Sequence, residues 1–160
     1  MLLRTFQRLP RVAQLDADGV LVGDWDRVPD AHRAGYRAMV AAMARAGVDT
    51  AGRPPMWAWR GGLTLLDAAL PLDPEHELST GYATVEFEAP AELTVVSDYG
   101  AWNDHLEALF HGGPADWNVT HPVRAQPEQV CVPYLRAEWV RDVRPLPTTG
   151  WDEIDPSLPT

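Results

Sequence analysis

The 160-residue chain has little of several features that would define its class at once. Its single cysteine, Cys131, excludes an internal disulfide and the paired cysteines of a zinc ribbon, and is typical of a protein in a reducing compartment. No stretch approaches the ~18 apolar residues that a membrane helix needs, and residues 1–5 are too short an apolar run for a signal peptide. We therefore expect a soluble, cytoplasmic protein without a membrane partner.

Basic residues are also scarce, since thirteen arginine and lysine residues face twenty-three acidic ones. The formal net charge is −10 and the isoelectric point is about 4.8. A nucleic-acid backbone is bound by a concentrated positive field, so we expect no nucleic-acid partner. The five histidines are scattered, without helical pairing or cysteine neighbours, and we expect no metal site.

Hydrophobic residues and turn formers are what the chain has in quantity. A hydrophobic fraction of 46% can fill the core of one domain, and fifteen prolines with twelve glycines favour short elements joined by tight turns. Apolar alternation predicts strands over residues 2–7 and 82–88, and helical spacing predicts a helix over residues 30–46. The predicted fold class is α+β, a single domain with a small, mostly antiparallel or split sheet and two main helices.

Helix caps and the end of the chain give finer predictions. Asp30 is expected to cap the first main helix, and both Ser97 and Asp98 are good caps for the second. Residues 134–139 are expected to form a turn or a short helix. We expect residues 1–147 to make up the domain, with 148–160 as an acidic, proline-containing C-terminal tail that packs only through Trp151 and Ile154.

The centre of the chain carries its most distinctive stretch, Pro54-Pro55-Met56-Trp57-Ala58-Trp59-Arg60-Gly61. On a strand, Trp57 and Trp59 would point to the same face, with Arg60 beside them. Tryptophan is highly buried on average, which favours core packing. The alternative is that the two indoles line a ligand pocket, and the spacing does not decide between these interpretations.

A small-ligand site at this stretch is one functional hypothesis. Such sites have mostly apolar walls and a few placed polar groups. A planar ligand such as a nucleotide would stack on the indoles, while Arg60 would hold its carboxylate or phosphate. The predicted ligand-binding residues are Thr5, Trp57, Trp59, Arg60, Tyr82, Asp98 and Trp102. In its simplest form this would be a binding module without catalysis.

Several short segments indicate a resemblance to a protein family. They are Arg4-Thr5-Phe6-Gln7, Asp18-Gly19-Val20-Leu21, Tyr36-Arg37-Ala38-Met39, Pro55-Met56-Trp57-Ala58-Trp59, Val85-Glu86-Phe87-Glu88-Ala89-Pro90, Ser97-Asp98-Tyr99-Gly100-Ala101-Trp102-Asn103 and Val123-Arg124-Ala125-Gln126. Over most of residues 2–146 the chain resembles an uncharacterised bacterial family of small intracellular proteins, a domain of unknown function. The resemblance implies a compact α+β domain and no known activity.

A second, fold-level resemblance concerns an enzyme class. The order of Thr5 and Gln7 on the first strand, Asp18-Gly19, the aromatic residues Trp57 and Tyr82, and a late Gln126 or Glu128 is similar to that in ADP-ribosyltransferases. The resemblance implies NAD as the cofactor and Gln7, Gln126 and Glu128 as catalytic residues, with electrostatic stabilisation of an oxocarbenium ion. The first strand lacks that family's histidine, and its arginine–serine–glutamate set is missing. Whether the chain is an enzyme stays open.

A protein-interaction module is the remaining hypothesis. It rests on Trp25, Trp117 and Trp151, which are predicted in loops, because exposed tryptophans are enriched in protein interfaces. Loop tryptophans can also pack down over a core. For all three hypotheses the oligomeric state and the ligand are left undetermined by the sequence.

Overall fold

The computed structural model describes residues 1–119 and 128–160. The helices in this part of the chain are α1 (Leu9–Asp18), α2 (Arg33–Arg45), α3 (Leu65–Ala69) and α4 (Tyr99–Phe110). The strands are β1 (Leu2–Arg8), β2 (Val20–Val22), β3 (Met56–Arg60), β4 (Tyr82–Glu88), β5 (Val95–Ser97), β6 (Glu128–Val132), β7 (Tyr134–Arg136) and β8 (Val140–Pro145). The predicted α+β class is confirmed.

Six of these strands form one sheet in the order β5-β6-β3-β1-β4-β8, and each neighbouring pair is antiparallel. A separate two-stranded sheet pairs β2 with β7, from Val20 opposite Arg136 to Val22 opposite Tyr134. The expectation of a turn or short helix over residues 134–139 is therefore wrong for its first half. This strand forms by pairing with β2, which lies more than a hundred residues away in the chain. Local sequence patterns cannot show such a distant partner.

The two faces of the large sheet carry different cores. Side chains alternate between faces along a strand, so Leu3, Ala58 and Phe87 share one face and pack against α1 and the small sheet. The opposite face has two groups: α2 and α4 lie over β3, β5 and β6, whereas α3 and the C-terminal segment lie over β1 and β4. This division into two groups leaves room between them beside β1 and β3.

Helix caps follow the chemistry of the sequence only in part. Asp98 precedes α4, and its carboxylate accepts a hydrogen bond from the backbone N–H of Ala101 at 2.9 Å. Ser97 instead belongs to β5, where its buried hydroxyl donates to Gln129 Oε1 at 3.1 Å. Asp30 does not cap α2, because a 3₁₀ turn precedes the helix and the Asp30 carboxylate pairs with Arg33.

The C-terminal segment is more firmly attached than its composition suggests. The backbone N–H groups of Leu65 and Leu66 donate to the carbonyls of Leu158 and Pro156, both at 2.9 Å, and the N–H of Thr160 donates to Leu63 at 3.0 Å. The first turn of α3 thereby finds acceptors for donors that its own helix cannot satisfy. The expectation that this segment packs only through Trp151 and Ile154 is wrong.

Candidate functional site

The large sheet is interrupted between β1 and β3. On its other side, β1 pairs with β4 through seven consecutive residue pairs, from Leu2 opposite Glu88 to Arg8 opposite Tyr82. Between β1 and β3 only Arg4 and Trp59 are in register. Beyond that pair the two strands separate, toward the end of β1 and the start of β3.

A cleft of about 240 Å³ lies at this separation. Three consecutive residues of β1, Thr5, Phe6 and Gln7, all line it. In a closed sheet consecutive side chains point to opposite faces and could not share one cavity. Met56 and Trp57 at the start of β3 line it in the same way. The cleft is therefore an opening in the sheet itself and not a depression on one of its faces.

Thr5 holds the two strands together at the inner end of the cleft. Its hydroxyl donates to the backbone carbonyl of Trp57 at 2.7 Å and accepts from Gln7 Nε2 at 3.0 Å. Thr5 is only 2% exposed, so this side-chain bond takes the place of a ladder bond in a buried position. Gln7 Oε1 forms no hydrogen bond within residues 1–119 and 128–160, which leaves an acceptor available at the cleft.

The two central tryptophans have different surroundings, although both line the cleft and both are partly buried. Trp57 packs on the indole of Trp102, at 5.0 Å between ring centroids, and its Nε1–H donates to the Tyr36 hydroxyl at 3.0 Å. Burial raises the pKa of Tyr36, while that hydrogen bond opposes the shift. Trp59 instead contacts Phe6, at 5.5 Å between centroids. The core and pocket interpretations therefore each hold in part: Trp57 belongs to the core and lines the cleft, whereas Trp59 lines the cleft and packs on Phe6.

The outer wall of the cleft comes from the loop after β2 and the prolines before β3. Gly23 lies so close to Pro54 that a Cβ built at Gly23 would be 1.8 Å from the Pro54 carbonyl oxygen. Only glycine allows this approach. The indole N–H of Trp25 donates to the carbonyl of Gly52 at 2.8 Å and also fastens the loop to the segment before β3.

Two arginines, Arg11 on α1 and Arg27 in the loop, also line the cleft, together with Asp24. They were missed by sequence reasoning, as was Tyr36 on α2. Arg11 is partly buried near the start of an amphipathic helix, and a lone arginine in a helix carries no positional signal. The tertiary arrangement is what brings these residues to β1.

Arg60 does not lie in the cleft, which corrects its predicted role as the anion-holding residue. It stands at the far end of β3, opposite Glu128 on β6, and its guanidinium is paired with the Glu128 carboxylate. Glu128 is therefore separated from Gln7, which lies near the other end of β3. The two residues do not form the catalytic pair that the enzyme resemblance implied. Gln126, the alternative partner, lies outside the described residues.

Three further predicted ligand-binding residues also lie elsewhere. Trp102, a residue of α4, is 3% exposed and belongs to the core between the helices α2 and α4 and the sheet. Asp98 serves as the α4 cap. Tyr82 is buried against α3, and its hydroxyl accepts from Arg8 Nε at 2.9 Å. The structure brings Thr5, Trp57 and Trp59 together with Gln7. The other predicted site residues that it describes do not line the cleft: Arg60, Tyr82, Asp98, Trp102 and Glu128.

The loop tryptophans are not the exposed anchors that the interaction hypothesis required. Trp117 is 4% exposed and packs against Trp102 at 5.3 Å between ring centroids. Trp25 and Trp151 are partly buried, and the indole N–H of Trp151 donates to the carbonyl of Pro147 at 3.1 Å. Cys131, in contrast, is buried as its apolar neighbours indicate, and burial raises the pKa of its thiol well above the ordinary value.

Comparison of the chain with protein-family models, with curated proteins and with solved structures found no match to any of them. The resemblance to the uncharacterised bacterial family therefore stays a prediction. In the described ranges, 1–119 and 128–160, no helix is long and apolar enough to cross a membrane. No group of three or more His, Cys, Asp or Glu side chains within those ranges is arranged to hold a metal ion.

Proposed function

We propose that the protein binds a small molecule with a planar group in the cleft between β1 and β3. The observation that carries the proposal is the separation of these strands after a single registered pair. Sheet interiors normally satisfy their backbone groups by continuing the ladder, so an opening lined by side chains from both strands is a special feature. At about 240 Å³ the cleft lies below the ~300–1,000 Å³ range of drug-sized ligand sites, which favours a compact ligand.

Aromatic residues line much of the cleft. Phe6, Trp57 and Trp59 are all partly buried, so each presents some ring surface to solvent. Desolvation of such surface on binding favours a flat, apolar partner, and ring stacking adds about 0.5–1.5 kcal/mol per pair beyond the area buried. The free Oε1 of Gln7 can accept a hydrogen bond from the ligand and so orient it.

Binding without catalysis is the form that the geometry supports best. Transfer of ADP-ribose needs a carboxylate or amide near the ribose as the glycosidic bond breaks. Glu128 is paired with Arg60 at the far end of β3, and so it is removed from the cleft. Among the described residues that line the cleft, the carboxylate belongs to Asp24, whose Oδ1 accepts from the backbone N–H of Asp26 at 3.0 Å. NAD is still worth testing as a ligand because its adenine and nicotinamide rings are planar.

The proposal is tested by screening nucleobases, nucleosides, nucleotides including NAD, and aromatic acids by thermal shift, with affinities then measured by tryptophan fluorescence. The variant is Trp59→Leu, and the matched control is Trp139→Leu, which removes another partly buried tryptophan, stacked on Tyr134 and outside the cleft. We expect the best probe to lose about tenfold or more in affinity only in Trp59→Leu, as for a stacked aromatic contact.

Equal affinity in the two variants, or no binding by any probe, would contradict the proposed site. The catalytic hypothesis has a separate readout, because nicotinamide release from NAD is detected by mass spectrometry whether or not the shift assay responds. Release that survives Gln7→Ala would place the chemistry outside this cleft.

A further inference from the structure

Two cationic side chains, Arg11 and Arg27, line the cleft. In the described ranges neither has a carboxylate oxygen within 4.0 Å of its guanidinium. Most of the other described arginines have an acidic partner, as Arg4 has in Glu86 and Arg141 has in Glu88 at 2.9 Å. The described arginines outside the cleft that also lack one are Arg37, Arg45 and Arg53.

Arg11 is held in position by neutral acceptors. One terminal nitrogen, Nη1, donates to Gln14 Oε1 at 2.6 Å, and the other, Nη2, donates to the backbone carbonyl of Val22 at 2.9 Å. Both bonds orient the guanidinium without cancelling its charge. The side chain is therefore fixed beside the cleft and retains capacity for an anion.

The surroundings of Arg11 disfavour the charged form of its guanidinium. Burial lowers its pKa, repulsion from Arg27 lowers it further, and attraction from Asp24 only offsets part of the shift. Two like charges placed together in a partly dehydrated cleft destabilise the folded chain unless an anion joins them. With Asp24 as the sole acidic residue that lines the cleft, the described lining carries one more positive than negative charge.

We infer that the ligand of this cleft carries a phosphate or carboxylate group bound by Arg11 and Arg27. The inference rests on the proposed function and adds the chemical class of the ligand. The guanidinium fork matches the geometry of both anions and binds them by paired, charge-assisted hydrogen bonds. The planar part of the ligand then lies against the aromatic residues, so the ligand is a compact aromatic anion.

Two matched pairs of probes test whether the cleft prefers an anionic ligand, and they distinguish a phosphate from a carboxylate. AMP and adenosine differ only in the phosphate, and benzoate and benzamide differ in the carboxylate charge. Their affinities are measured by calorimetry at low ionic strength for the wild-type protein, Arg11→Gln, Arg27→Gln and the control Arg141→Gln. The control removes the same charge on β8, away from the cleft, and breaks an exposed ion pair that contributes little to stability.

We expect the anionic member of at least one pair to bind about tenfold or more tightly than its neutral counterpart, as for a hydrogen bond to a charged group. Arg27→Gln and Arg11→Gln should remove most of that preference by weakening the anionic probe more than the neutral one, and Arg141→Gln should keep the preference. The AMP pair responding alone identifies a phosphate, and the benzoate pair responding alone identifies a carboxylate. Arg27 is exposed, so its variant is a fair test even if Arg11→Gln perturbs the fold.

Equal affinity of the charged and neutral probes would overturn the inference while leaving the proposed function intact. A preference for the anion that persists in Arg27→Gln and Arg11→Gln, or is lost in Arg141→Gln, would overturn it too. Absence of binding by all four probes would overturn the inference, while the wider screen with Trp59→Leu and Trp139→Leu decides the proposed function separately.

Discussion

The two sides of β1 differ in a way that separates scaffold from site. Toward β4 the strand pairs along its whole length, and the side chains on one face of that pair are sealed into a core with Phe87 fully buried. Toward β3 it is in register at one pair, and its following residues open onto a cleft. One strand thus provides rigidity on one side and accessible side chains on the other.

Local chemistry keeps the β1–β3 ladder from resuming beyond the opening. In the register set by Arg4 and Trp59, Pro55 would lie opposite Arg8, and proline lacks the backbone N–H that a ladder bond to β1 would need. On the other strand, α1 begins at Leu9, which turns the chain away from the sheet. Between these points the Thr5 hydroxyl donates to the Trp57 carbonyl, which has no ladder partner on β1.

The largest expected effect is on stability, and it is measured by comparing Phe87, on the paired side of β1, with Phe6, which lines the cleft. Phe87→Ala on the paired side should lower the free energy of unfolding by about 3–5 kcal/mol, because it leaves a cavity in a fully buried core. Phe6→Ala at the cleft should cost less than half as much, since Phe6 is only partly buried. Urea unfolding of both variants measures the difference. Equal costs would mean that the cleft side is as tightly packed as the scaffold side.

The approach of Gly23 to Pro54 gives the next effect. Gly23→Ala should destabilise the protein by about 1–3 kcal/mol, as in overpacked sites, because the outer wall of the cleft must move to admit the methyl group. Gly62→Ala is the control, since a Cβ there meets no atom within 4 Å. Thermal unfolding compares the stabilities of the two variants. An unchanged stability in Gly23→Ala would show that the outer wall of the cleft moves to admit the methyl group without loss of stability.

The Thr5 hydroxyl is expected to matter at a smaller scale. Thr5→Val removes both of its hydrogen bonds at nearly constant volume and should cost about 1–2 kcal/mol, because the Trp57 carbonyl loses its donor. Thr5→Ser keeps the hydroxyl and should retain most of the stability relative to Thr5→Val. Chemical denaturation measures both, and amide exchange of β3 reports whether the strands separate further.

The smallest effect concerns the side of the sheet covered by helices, where His105 packs between Trp102 and Trp117. Burial lowers the pKa of His105, so the unfolded chain binds its proton more readily than the folded one. Its contribution to stability is complete above pH ~6.5 and is lost as the pH falls below that value. His105→Gln should flatten the decrease in unfolding free energy between pH 7 and pH 5.5, measured by urea midpoints. An unchanged slope would show that water reaches this ring in the folded state.

Interpretation of the sequence was most reliable where local rules act alone. The alternation in residues 2–7 and 82–88 predicted strands that the structure contains, and Asp98 caps α4 as its side-chain chemistry indicated. The cleft was identifiable in a minority of its lining residues: Trp57 and Trp59 followed from strand alternation, while Thr5 and Gln7 were named with the enzyme resemblance. Arg60 was selected because it is adjacent to Trp59. Adjacent residues on a strand point to opposite faces, and Arg60 pairs with Glu128 outside the cleft.

The sequence by itself determined most of the strands and helices, though not β7, and that Trp57 and Trp59 share a face, because side-chain alternation and capping are set within a few residues. It also contained Pro55, which keeps the β1–β3 ladder from resuming at Arg8. Only the tertiary structure decided that this end is an opening, that Arg11 and Arg27 stand beside it, and that Trp102 is core. Those facts depend on which segments pack together, and packing is decided by burial over the whole chain rather than by neighbouring residues.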